Sequence, residues 1–152
     1  MKSVYPARWD PCLRQKRFEI RTNLATLLYL MKYRELTAKI IDCSYKVHRK
    51  LGVGFLESVY QNALMIELAK SGLQAEREKR ILVDYDGQVI GDFIADIVVE
   101  EKVILELKAV KQVHPVHETQ LVNYLKATNM EVGLIINFGE QVEIKRKVLD
   151  HT

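Results

Sequence analysis

Residues 81–108, ILVDYDGQVIGDFIADIVVEEKVILELK, decide the fold. Apolar and polar residues alternate over 81–85, Asp86-Gly87 supplies a tight hairpin turn, and 89–99 reads as the return strand, bent at Gly91. Glu101-Lys102 makes a second turn, and 103–108 is a short third strand. Working outward toward the C-terminus, Pro115 suits the first turn of a helix whose apolar residues include Val116, Leu121, Val122, Tyr124 and Leu125. The run 132–138 is apolar and rich in branched residues, as expected of a buried central strand. The last strand, 142–148, alternates with Lys and Arg and reads as an edge.

Toward the N-terminus two helices are predicted. Thr37 caps the first, Ile40, Ile41, Tyr45, Val47 and Leu51 supply its apolar face, and Gly52 ends it. The second spans about 56–71, with Val59, Tyr60, Ala63, Leu64, Ile66 and Leu68 on a broad apolar face and Gly72 at its end. Two helices, three strands, a helix and two strands make an α/β or α+β layered domain, a mixed sheet flanked by helices.

Composition narrows the class. The chain has 152 residues, 48% of them hydrophobic and 28% charged, with seven Gly and three Pro, which is the make-up of one soluble globular domain and excludes disordered and fibrous classes. The apolar run 24–31 is too short for a bilayer span, and charged residues stand where a signal peptide would be cleaved. A cytoplasmic protein without a membrane partner is expected. Cys12 and Cys43 have no motif spacing and read as free thiols. Residues 1–34 hold eight Lys and Arg against two acidic residues, leaving the remainder with 15 basic and 18 acidic. A basic N-terminal arm could neutralise phosphates, but the body that must hold any active site is slightly acidic.

The chemistry gathers on the second and third strands. Glu106 and Lys108 are two apart on one strand and so share a face, and the adjacent strand can place Asp96 opposite them. Two carboxylates and an ammonium among Ile94, Ile97, Val98, Val103, Ile104, Leu105 and Leu107 are costly to bury without compensation. A divalent cation with oxygen ligands, magnesium or manganese, would supply it. The same triplet would also serve as a cross-strand salt bridge on a surface hairpin. Gln120 and Tyr124, four apart, share a helix face just after these strands, and Glu57 opens the second helix between Gly54 and Tyr60. By ordinary physics Glu57 would favour a helix N-terminus and Tyr60 would pack in the core. There is no Gly-rich phosphate loop, no nucleophile elbow, and no third ligand to make zinc of His114 and His117.

The segment GFLESVY, carrying Gly54, Glu57 and Tyr60, resembles the signature of the GxxExxY proteins. VHRKLGVGFLESVYQNAL, ADIVVEEKVILELKAV, HPVHETQLVNYLKAT and GLIINFG are also similar to that family. It resembles in turn the RecB-like branch of the PD-(D/E)xK nuclease superfamily, over about residues 36–148. The resemblance implies a restriction-endonuclease-like αβββαβ core and a magnesium- or manganese-dependent nuclease that hydrolyses nucleic-acid phosphodiesters, DNA in preference to RNA, by a metal-activated water. It implies Asp96 and Glu106 as metal ligands, Lys108 as the catalytic lysine and Glu57 as an acidic residue from the preceding helix. Gln120 and Tyr124 would position Lys108 or the nucleic-acid backbone, and His48 would be a further metal ligand. Ala95 stands where the superfamily name has proline. The implied organisation is a basic extension, 1–33, before a nuclease-like domain, 34–152. The alternative is a nuclease-fold binding or scaffold protein that acts through a partner, and a homodimer pairing two sites is compatible with either reading.

Overall fold

The computed structural model describes residues 24–28 and 31–151. Most of the expected N-terminal extension, and Cys12 with it, lies outside the described residues; 24–28 form a short helical stretch. Tyr33–Thr152 is a compact unit of its own. Its elements, in order, are α1 (Arg34–Leu51), α2 (Glu57–Lys70), β1 (Ala75–Tyr85), β2 (Gln88–Val99), β3 (Val103–Lys108), α3 (Pro115–Ala127), β4 (Val132–Phe138) and β5 (Val142–Val148). The expected α+β layering is the observed one.

The strands form one five-stranded sheet in the order β1-β2-β3-β4-β5. Only β3 and β4 run parallel, joined through α3; every other neighbouring pair is antiparallel. Period-two alternation divides the core between the sheet's faces. Val103, Leu105 and Leu107 of β3, with Val132, Leu134 and Ile136 of β4, meet Ile40, Cys43 and Val47 of α1 and Tyr60, Leu64 and Leu68 of α2. Ile104 and Ile135 point the other way, against Leu121, Tyr124 and Leu125 of α3. Covered on both sides, β4 has all seven residues buried. Each fully buried Leu or Ile contributes about 1.5–3 kcal/mol relative to its exposed state. Glu106 and Lys108 share the parity of Ile104, so the sequence pattern itself turns them toward α3.

Some local expectations change. Helix α1 begins at Arg34, and Thr37 is not its cap: its hydroxyl donates to Arg34 O at 3.1 Å from within the first turn. Tyr45 of α1 and Ile66 of α2 face solvent, so the buried stripes are narrower than their apolar content suggests. Strand β1 starts six residues before the apolar stretch that signalled it, because Ala75, Glu76 and Arg77 pair with Val99, Val98 and Ile97. Asp86 and Gly87 both take positive φ, 50° and 77°, as a two-residue type I′ hairpin requires. Cys43 is a buried free thiol. Among the described residues, no helix is long and apolar enough to cross a membrane.

Candidate active site

The pairing of β2 with β3 covers three residue pairs, the last being Ile97↔Leu105. Beyond it, Asp96 and Glu106 would face each other, but the Asp96 side chain takes over from the backbone: its Oδ2 accepts from Leu107 N at 2.7 Å. The strands therefore part at the residues that carry the charges. Helix α2 and helix α3 reach this opening from the two faces of the sheet.

From α2 come Glu57 and Gln61, one turn apart and so on one face. Gln61, which sequence reasoning passed over, is buried, and its Nε2 donates to Asp96 O at 2.9 Å. The i, i+4 spacing from Glu57 was the available signal. The entry to α2 is held by Tyr60. Its hydroxyl donates to Gly52 O at 2.8 Å and accepts from Phe55 N at 3.3 Å, while its ring stacks on Phe138 with centroids 4.6 Å apart. Gly54 turns the loop between them with φ 96°, a conformation that strains any residue with a side chain. Gly54, Glu57 and Tyr60 thus act together: the glycine bends the loop, the tyrosine clasps it, and the glutamate is delivered at the first residue of the helix.

From α3 come His117, Gln120 and Tyr124 on one stripe, and Gln120 Nε2 donates to the Tyr124 hydroxyl at 2.6 Å. His114 caps the helix, its Nδ1 accepting from Val116 N at 3.1 Å. Burial, the Lys108 charge and His114 lower the proton affinity of His117, which places it in the field of Lys108.

The carboxylates are strongly coupled. Glu106 is 5% exposed, and its Oε1 has no hydrogen-bond partner. Burial, then the Asp96 charge and Glu57, push its pKa from 4.5 to about 8 against the opposing pull of Lys108 and the Asp96 backbone amide. Burial also raises Asp96, opposed by the Leu107 N–H and by Lys108. Glu57 is raised by burial and by Asp96, with Lys108 opposing. Tyr124 is raised by burial and by Glu106 and Asp96. These mutual effects bring Asp96, Glu106, Lys108, Glu57 and Tyr124 into one electrostatic neighbourhood. His48 is engaged elsewhere: its Nε2 donates to Gly139 O at 2.9 Å.

Among the described residues, no three His, Cys, Asp or Glu side chains converge closely enough to enclose a metal. Asp96 and Glu106 instead offer hard oxygen donors, one of them a buried oxygen without a partner, which suits a cation that keeps much of its water shell.

Another residue missed in the sequence is Asn137, opposite Lys108 in the β3–β4 register. Its side-chain amide mimics a strand, accepting from Val110 N at 3.0 Å and donating to Val110 O at 2.8 Å. The chain leaving Lys108 is thereby tied back to β4.

Residues 34–147 match the sequence model of the PD-(D/E)XK nuclease superfamily, and the chain belongs to that superfamily, whose nucleases generally use divalent metals. A solved structure described as "Crystal structure of SSO0001" is similar in fold, with a TM-score of 0.50 and 20% identity over 61% of this chain and 50% of that one. This chain therefore spans half the length of that protein. No curated protein matches it.

Proposed function

We propose that the protein is a magnesium- or manganese-dependent nuclease that hydrolyses phosphodiester bonds, with DNA its preferred substrate. One observation carries the reading: Glu106 is a buried carboxylate beside Asp96 with an oxygen that no protein group satisfies. A structural salt bridge would have paired that oxygen. Asp96 and Glu106 would hold the cation, which when bound polarises the phosphodiester and acidifies a water.

The chain's own groups supply the rest. Lys108 orients the attacking water and offsets charge developing on the phosphate. The Gln120–Tyr124 pair positions Lys108 or a backbone phosphate from α3, while Glu57 adds a third carboxylate from α2 within the field of both Asp96 and Lys108. His48 is left out of the ligand set, since its Nε2 is committed to Gly139. The arrangement of Gly54, Glu57 and Tyr60 around the α2 entry supports the GxxExxY assignment, and Gln120 with Tyr124 supports the RecB-like one. We assign residues 34–152 to the nuclease-like domain, 1–33 to a basic extension, and the protein to the cytoplasm.

A nuclease-fold binding or scaffold protein is the second reading, favoured by the charge balance: the residues after 34 hold 15 basic against 18 acidic side chains, little with which to grip a duplex unaided. The test is cleavage of labelled single- and double-stranded DNA and RNA by wild type and Glu106→Ala, in magnesium, manganese or EDTA. Cleavage that needs both metal and Glu106 is expected. Cleavage retained by Glu106→Ala would sink the nuclease reading, and base-paired or single-stranded binding without turnover would favour the second.

A further inference from the structure

Phe93 lies on β2 three residues before Asp96, and its ring leans on Tyr124 with centroids 5.7 Å apart and planes tilted by 46°. Yet 44% of the residue remains exposed. The chain builds a seat for it. A Cβ at Gly91 would come within 2.9 Å of Phe93 Cε2, so the ring lies against bare backbone that only glycine leaves open. Ile81, directly across the β1–β2 ladder from Phe93, is buried. Tyr124 is in turn fixed by Gln120 and lies in the field of Glu106 and Asp96. The ring is thus held on two sides, partly open to solvent, and one ring away from the carboxylates.

We propose that Phe93 is a stacking platform for an unpaired nucleobase next to the bond to be cut, so that the protein acts on single-stranded or locally opened nucleic acid. The ligand's identity rests on the nuclease reading, and the platform's geometry does not. A duplex keeps its bases stacked on one another, and only a strand with a splayed base can offer its π-face to an exposed ring.

The test is made on the full chain in EDTA, where binding is measured without cleavage. Trp9 is the only tryptophan, so Trp9→Phe combined with Phe93→Trp reports on this position alone. Short oligothymidylate should quench its fluorescence, and an abasic strand of equal length and charge should not. Phe93→Ala and Phe93→Leu should each weaken oligothymidylate binding about tenfold and leave abasic binding unchanged. Phe93→Leu retains apolar packing, so an unchanged melting temperature in that variant separates stacking from folding. Equal binding of the two strands, unaltered affinity in Phe93→Leu, or absence of quenching would each overturn the proposal. Base-dependent quenching in a protein that never cleaves would uphold the platform and reject the nuclease.

Discussion

Asp96 Oδ2 accepts a hydrogen bond from the backbone N–H of Leu107, the residue between Glu106 and Lys108, at 2.7 Å. The contact has two jobs. It replaces the backbone acceptor that β2 withdraws as the strands part, and it fixes the carboxylate that carries the charge. These separate by substitution. Asp96→Asn keeps an oxygen to accept from Leu107 and loses the charge; Asp96→Ala loses both. Asp96→Asn should unfold close to wild type yet show no metal-dependent cleavage, whereas Asp96→Ala should lose about 2 kcal/mol of stability as well. Urea titration beside a cleavage assay reads both.

Glu106 makes the metal-free protein sensitive to pH. The unfolded chain releases its proton near the ordinary 4.5 and the folded chain only at about 8, so between those values the folded state holds more protons. A group raised in this way contributes stability that is fully present below the unfolded pKa and is lost as pH rises through the folded one. The slope is at most about 1.4 kcal/mol per pH unit for one proton. Glu106→Gln lacks it. In EDTA, wild type should therefore weaken relative to Glu106→Gln between about pH 5 and about pH 8.5. A stability difference that does not change with pH would mean that the buried carboxyl is already charged at the acid end.

How much of this was legible follows from which signals are local. The Asp86-Gly87 turn, the apolar β4 and the shared parity of Glu106 and Lys108 lie within short windows, and period two carried them to the correct face. The first half of β1, AEREKR, shows no apolar alternation, because it is a strand only through its pairing with β2. Thr37 looked like a cap because its residue type is common there, but a helix start is settled by backbone geometry, and Tyr33 in the left-handed region sets this one. Gln61 and Asn137 were missed for a common reason. Each acts on a partner brought close by folding: Gln61 on Asp96, 35 residues away, and Asn137 on Val110, 27 residues away.

Asn137 should matter more to the site than its place in an apolar strand suggests. Replacing it with Leu preserves volume but strands both Val110 N–H and C=O, so a loss of about 2–3 kcal/mol is expected. Asn137→Asp keeps the acceptor for Val110 N and brings an uncompensated charge into a buried position, and should be no better. Amide exchange confined to the segment just after Lys108 should quicken in both. Exchange that quickened throughout β4 instead would show a general packing fault rather than release of that segment.

Tyr60 offers a cleaner separation of packing from positioning. Its ring is buried and stacked on Phe138, while its hydroxyl bridges Gly52 O and Phe55 N across the loop that delivers Glu57. Tyr60→Phe keeps the stack and leaves the loop without its clasp. Global stability should fall by only about 1 kcal/mol, but amide exchange at residues 52–56 should rise and metal-dependent cleavage should drop, because Glu57 is no longer held at the opening between β2 and β3. Full cleavage by Tyr60→Phe with faster exchange in the loop would show that Glu57 needs no such positioning. Unchanged exchange would show that the stack alone holds the loop.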